Sequence, residues 1–145
     1  MDVYIGADHR GYAAKTELIE YLIARGLNVT DHGCHGAERV DYPDFAKLVA
    51  ESVAGSAGSA FGVVICGSGV GIAIPANKVA GVRCAVAWCE HVAEFGRRHN
   101  HANVLAFGAD VQTVTQMKRC LDAWLGATEE GDRHSQRVAK ISAME

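Results

Sequence analysis

The sequence predicts an α/β fold in which helices cover both faces of a five-stranded parallel sheet, giving three layers. Three observations predict it. Short β-branched runs alternate with amphipathic stretches along the whole chain, a rhythm that implies right-handed crossovers between parallel strands. The chain has 145 residues, of which 49% are apolar, the size of one domain with a full core. The stretch from Phe61 to Lys78, FGVVICGSGVGIAIPANK, reads as strand, glycine loop and helix. Residues 1–145 are therefore expected to form a single domain, without linker or repeat.

In chain order, Val3 to Gly6 is an apolar strand, and Tyr12 to Ala24 is an amphipathic helix with Leu18, Ile19 and Leu22 on one face. Gly26 ends that helix. Leu27 to Thr30 reads as a second strand, followed by the polar loop Asp31-His32-Gly33-Cys34-His35-Gly36. Two histidines flanking a cysteine raise the question of a metal. A loop this short does not easily converge three side chains on one tetrahedral ion, and no partner pair stands elsewhere at ligand spacing, so none is expected. Asp41-Tyr42-Pro43-Asp44 starts a helix, with Pro43 in the first turn and Phe45, Leu48, Val49 and Val53 predicted inward. Gly62 to Ile65 is the third strand, and Ile72 to Lys78 can wind as a helix. Arg83 to Ala87 forms a fourth strand, Glu90 to Arg98 a helix, Asn103 to Phe107 a fifth strand and Val111 to Leu125 another helix. The result is a doubly wound, Rossmann-like α/β/α sandwich with a C-terminal tail, expected to be helical, that carries Arg133 and Arg137.

Chemistry concentrates at 66–71. Gly67, Gly69 and Gly71 stand at alternate positions, which lets the backbone turn successive N–H groups toward one point at a helix start. The product is an anion cradle. It is not a dinucleotide fingerprint, because the last position of G-x-G-x-x-G/A falls on Ile72 or Ile74, and it lacks the Gly-Lys-Ser/Thr of Walker A. Cys66 sits at the strand's end beside these donors, where a thiolate is stabilised. A buried structural cysteine before a tight turn is the competing reading. Asp8 and His9 lie at the carboxyl end of the first strand, where open parallel sheets bind ligands, although Asp8 also suits a helix cap. His99 and Asn100 fall on the helix-to-strand side of their own unit. Service to a neighbouring subunit's site would make the protein an obligate dimer. Arg133 and Arg137, four apart, share one helical face and suit a phosphate or carboxylate, or else form a solvated basic face.

Composition excludes several classes. A formal charge of −3, with no basic run interleaved with aromatics, argues against nucleic acid. No apolar run approaches the roughly 20 residues of a membrane span, and Met1 leads straight into a strand. A cytosolic protein acting on a small molecule is expected. The five cysteines are odd in number and lack C-x-x-C, so reduced thiols are expected, not a disulfide framework or zinc knuckle.

With these residues in view, the chain resembles the ribose-5-phosphate isomerase B family, which also includes allose-6-phosphate isomerase and the galactose-6-phosphate isomerase subunits. The resemblance covers essentially the whole length. It rests on Gly6-Ala7-Asp8-His9, Asp41-Tyr42-Pro43, Ile65 to Ile72, Ala76-Asn77-Lys78, His99-Asn100, Leu105 to Gly108 and Gly131 to Arg137. It implies metal-free, cofactor-free interconversion of an aldose phosphate and a ketose phosphate through a cis-enediolate, in a homodimer or dimer of dimers with shared sites. By analogy Cys66 is the base between C1 and C2, Ser68 assists the proton between the oxygens, and the N–H groups of Gly67, Ser68, Gly69, Val70 and Gly71 stabilise the enediolate. His99, with Asp8 and Asn100, opens the furanose ring, and Tyr42 flanks the sugar. His9, Arg133, His134 and Arg137 surround the phosphate. Members with a glutamate base lack the cysteine; here position 75 is Pro and 66 is Cys. Two departures stand out: Asp110 where many members carry arginine, and Arg10 where many carry a small residue. Arg10 either binds the phosphate directly or pairs with Asp110. The sequence leaves open tetrose and hexose phosphates as substrates, and a non-catalytic phosphate-binding module.

Overall fold

The computed structural model describes residues 1–145. The elements in order are β1 (Asp2–Ala7), α1 (Tyr12–Ala24), β2 (Asn28–Asp31), α2 (Tyr42–Gly55), β3 (Ala60–Cys66), α3 (Val70–Ala76), β4 (Cys84–Val86), α4 (Glu90–Asn100), β5 (Val104–Gly108), α5 (Val114–Leu125) and α6 (Arg133–Ser142). All neighbouring strands are parallel, in the order β2-β1-β3-β5-β4. From β1 the chain steps outward to β2 and returns to β3. It then passes to the far edge as β4 before β5 fills the gap. The direction of winding therefore reverses between β1 and β3, and the carboxyl ends of those two strands flank the crevice where such sheets bind ligands.

Each face of the sheet has its own core. On one, Leu18 and Leu22 of α1, Ala93 of α4 and Met117, Leu121 and Trp124 of α5 pack against Val3, Ile5, Val63, Leu105 and Phe107. On the other, Ala46, Val49, Ala50 and Val53 of α2 join Ile72, Ala73 and Ala76 of α3 over Val64, Val104 and Ala106. Full burial of a residue such as Leu18 or Leu22 contributes on the order of 2 kcal/mol. No helix is long and apolar enough to cross a membrane.

The structure corrects several details. Leu48, predicted inward, is 45% exposed, and the buried stripe of α2 is Ala46, Val49, Ala50 and Val53. The stripe narrows because α2 lies close to the sheet. A Cβ at Gly62 would stand 2.8 Å from Val49 Cγ1, so the missing side chain is what admits Val49, and Leu48, about 100° around the helix, is left outside. The last helix of the sandwich starts at Val114, not Val111. Thr113 forms a capping box with Gln116, accepting its N–H at 3.2 Å while Gln116 Oε1 accepts the N–H of Thr113 at 2.8 Å. The tail is helical, and Arg133 and Arg137 stand one turn apart on α6.

Candidate active site

At the carboxyl edge of the sheet the loops after β1, β3 and β5 are fastened to one another. The Asp8 N–H donates to the Ile65 carbonyl at 3.1 Å, and those of Ala109 and Asp110 donate to the carbonyls of Cys66 and Gly67 at 2.8 and 2.9 Å. Cys66 is 4% exposed, and its Sγ accepts the N–H of Gly69 at 3.2 Å. The turn that brings this donor back requires Gly69 at φ 79°, and a Cβ there would meet the Phe107 carbonyl carbon at 2.9 Å. Ser68 Oγ accepts the Val70 N–H at 3.3 Å. The N–H groups of Gly67, Ser68 and Gly71 donate to no group of the protein. A cysteine thiolate beside several uncommitted backbone donors can accept a proton while a neighbouring oxygen becomes negative.

Around this centre, Asp8 is 4% exposed, and its Oδ1 accepts the N–H groups of Arg10 and Gly11 at 2.9 and 3.1 Å. Asp8 is thus a cap, with Oδ2 left over. His9 Nδ1 accepts the Val40 N–H at 3.3 Å, which leaves Nε2 for a ligand. The Tyr42 ring lies 3.1 Å from where a Cβ on Gly71 would stand. Arg10 Nη2 meets Asp110 Oδ2 at 2.5 Å, so of the two roles open to Arg10 in this conformation it takes the ion pair.

A support under Asp8 was not anticipated from sequence. Lys15 is 1% exposed, and its ammonium donates to both oxygens of Asp31. Asp31 Oδ1 also accepts the Gly33 N–H at 2.8 Å. Residues 33 and 34 in turn grip β1, through Ala7 N–H to the Gly33 carbonyl at 2.7 Å and Cys34 N–H to the Ala7 carbonyl at 2.8 Å. In the same loop His32 Nε2 faces Ser52 Oγ at 2.9 Å and Cys34 Sγ donates to the Gly36 carbonyl at 3.2 Å. His35 turns to Asp31 at 3.7 Å, so the three side chains have separate partners.

The remaining predicted residues assemble elsewhere. Helix α4 runs back from the carboxyl edge, so His99 lies in its last turn near the amino edge. Arg83, just before β4, fixes that end by donating to the Asn100 and His101 carbonyls at 3.1 and 3.0 Å. The His99 ring stacks on His134 of α6 at 4.2 Å with 6° between planes. Glu130, which sequence reasoning missed, joins them. Its Oε2 lies 3.6 Å from His99 Nε2 and 3.5 Å from His134 Nε2, while Oε1 accepts from Arg98 Nε at 2.8 Å. The only hint was its place just before the Arg-His of the tail. Along the strand direction this cluster and Cys66 are separated by about the length of β5, on the order of 15 Å. Asn100 also lines a groove of about 710 Å³ with Lys78, Arg83, Cys84, Ile141 and Met144, which includes none of the residues around Cys66.

Electrostatics distinguish the second cluster. The hydrogen bond from Arg98 holds the Glu130 carboxyl below the usual range. Burial, then the charges of His99 and Arg133, push His134 down. The donor atoms of His99, Glu130 and His134 lie within 4.8 Å of one another, close enough to hold a metal. Parallel ring planes point their in-plane lone pairs side by side, however, and Arg133 and Arg137, which have no carboxylate partner, add positive charge beside His134. That field suits an anion better than a cation. Among the thiols, burial pushes Cys84 up to about 12 and Cys120 up to about 11, so neither is a nucleophile at neutral pH.

Comparison with known proteins gives a consistent result. The family model described as Ribose/Galactose Isomerase matches residues 3–141. The chain is 47% identical over 143 residues to ribose-5-phosphate isomerase B of Escherichia coli strain K12, covering 99% of this chain and 95% of that protein. The solved ribose-5-phosphate isomerase B of Clostridium thermocellum superposes with a TM-score of 0.96 at 46% identity, covering 99% of this chain and 97% of that one. The Mycoplasma genitalium ribose-5-phosphate isomerase B, solved with bound ribulose-5-phosphate, superposes with a TM-score of 0.96 at 38% identity, covering 99% and 95%.

Proposed function

The chain belongs to the Ribose/Galactose Isomerase family and is an aldose–ketose isomerase; on that premise we propose that it interconverts ribose 5-phosphate and ribulose 5-phosphate, with Cys66 as the base. The observation that carries the proposal is the Cys66 thiol set beside the uncommitted N–H groups of Gly67, Ser68 and Gly71 at the crevice between β1 and β3. The thiolate removes the C2 proton of the open-chain aldose, and the electron pair moves onto the carbonyl oxygen at C1. The loop N–H groups stabilise the cis-enediolate. Ser68 passes a proton between O2 and O1, and the protonated Cys66 returns its proton to C1.

Ring opening and phosphate binding draw on the second cluster. His99 and Asn100 open the furanose together with Asp8, whose Oδ2 is uncommitted. Arg133, which is exposed, and Arg137, which has no ion-pair partner, take the phosphate with His134 and His9. Because the two clusters occupy opposite edges of one chain, the complete site combines the Cys66 edge of one copy with the His99 edge of another, in a homodimer. Tyr42, beside Gly71, walls the sugar.

A coupled isomerase assay on the purified protein across tetrose, pentose and hexose phosphates tests the substrate. Ribose 5-phosphate should give the highest kcat/KM; a hexose or tetrose phosphate turned over faster would replace it. The role of Cys66 is tested by Cys66→Ala, which should abolish deuterium exchange from solvent into substrate while inorganic phosphate still binds. Exchange retained in that variant would put the base elsewhere.

A further inference from the structure

Asp8 and His9 follow β1 in a segment that has a strand on only one flank. On the β3 side the ladder runs to the end, with Ala7 opposite Ile65 and the Asp8 N–H on the Ile65 carbonyl at 3.1 Å. On the β2 side the strand register stops at Ile5 opposite Asp31. The turn at 33–34 extends that edge instead, through the Ala7 N–H to the Gly33 carbonyl at 2.7 Å and the Cys34 N–H to the Ala7 carbonyl at 2.8 Å. Gly33 holds φ 99° in this turn, and a Cβ there would stand 2.9 Å from Phe45 Cε1, so only glycine enters it without strain. Asp31 fixes the turn. Its Oδ1 accepts the Gly33 N–H at 2.8 Å, and the ammonium of Lys15, a residue 1% exposed, donates to both carboxylate oxygens. A carboxylate gripped at both oxygens is ionised and keeps one orientation.

The turn matters because of what its far end carries. From Gly33 the chain runs without helix or strand to Tyr42, returning to the end of β1, where the Val40 N–H donates to His9 Nδ1 at 3.3 Å. A ring nitrogen that accepts a backbone N–H carries no hydrogen of its own, so neutral His9 carries its hydrogen on Nε2. Nε2 is then the donor that a phosphate oxygen requires. We propose that Asp31, clamped by Lys15, is a positioning residue for His9: it anchors the start of the loop whose end sets the tautomer and direction of the imidazole. Neither Lys15 nor Asp31 is asked to touch the substrate. Their contribution is to hold the donor in place before the phosphate arrives, so that less ordering is left to the binding step. This inference rests on the phosphate role given to His9 above.

The tests use the full-length protein. Nitrogen NMR of the labelled parent, at a pH where His9 is neutral, should show the hydrogen on Nε2 and a bare Nδ1; a hydrogen on Nδ1 overturns the proposal without any variant. Removing Asp31 alone would strand a buried ammonium, so Lys15 changes with it. Lys15→Met with Asp31→Leu deletes the acceptor for the Gly33 N–H, whereas Lys15→Met with Asp31→Asn keeps one. In the leucine pair KM for ribose 5-phosphate should rise roughly tenfold with kcat nearly unchanged, since a phosphate contact is felt alike in ground and transition states. In the asparagine pair KM should stay within about threefold of the parent, because the hydrogen bond to Gly33 is kept. In a His9→Asn background the leucine pair should add less than about a twofold loss, because the group it positions is already gone. A leucine pair with the parent's KM, a fall in kcat in place of the rise in KM, equal losses in the two pairs, or a loss that multiplies with that of His9→Asn overturns the proposal. Asp31→Ala replaces Asp31→Leu if the leucine pair does not fold. A parent that turns over no ribose 5-phosphate overturns the substrate reading, while the nitrogen spectra of the parent and the leucine pair, which should lose the fixed tautomer, still decide the role of Asp31.

Discussion

A single side chain shows how position decides chemistry. His134 is 6% exposed, yet it faces Glu130, His99 and the charges of Arg133 and Arg137. Burial and the neighbouring cations outweigh Glu130, so its protonation is disfavoured in the folded chain. A histidine whose folded pKa lies below its unfolded value binds fewer protons when folded. Stability is therefore fully present above about pH 6.5 and declines as pH falls from there through the lowered folded value. Glu130, also lowered, adds a separate loss at more acid pH. Melting temperature at fixed protein concentration should thus drop between pH 7 and pH 5.5, and the drop should be smaller in His134→Asn. An equal drop in both proteins would assign the effect to other groups. The same arrangement suits the proposed phosphate role, because Arg133 and Arg137 have no carboxylate partner and an incoming phosphate would supply the anion.

Among the elements, α5 carries the best-defined boundary. Its capping box joins Thr113 and Gln116 on the exposed surface just after Asp110, while Met117, Cys120, Leu121 and Trp124 bury its other side. The cap and the core contacts are separate contributions. Thr113→Ala should cost about 1 kcal/mol, seen as a lower urea midpoint with the slope unchanged. A changed slope would mean that the helix start takes part in wider order. The β3–α3 connection behaves differently: its seven-residue helix is short, and the loop before it is defined by contacts of Gly67 and Gly69 with β5 and its following loop. Glycine was recognisable there from sequence as a cradle. That Asp110, Arg10 and Phe107 are the groups filling the space was not, because those contacts join three loops far apart in the chain.

For the whole molecule, the two clusters at opposite edges lead to a test of assembly. Cys66→Ala and His99→Asn should each be nearly inactive on ribose 5-phosphate alone. If the site combines two copies, equal amounts denatured and refolded together form hybrids in half of the dimers, each with one intact site, giving about a quarter of the parent's activity. Activity no higher than the sum of the separate variants would mean that each site is built from one chain.

Periodicity and glycine spacing were enough for the sequence to determine the sandwich, its five parallel strands and the thiol-bearing cradle, because strand alternation and backbone turns are local properties. Asp8, His9 and Cys66 were legible as a group for the same reason: residues that end parallel strands share one edge. Tertiary structure alone decided what depends on distance through space. It placed Leu48 outside, since only the approach of α2 to Gly62 reveals how narrow its buried stripe is. It brought Glu130 between His99 and His134, decided between the two roles that the sequence left open to Arg10 in favour of the pair with Asp110, and buried Lys15 against Asp31. Each of these is a charge or a packing surface whose partner lies on another element, and a charge has no chemistry that can be read until its partner is known.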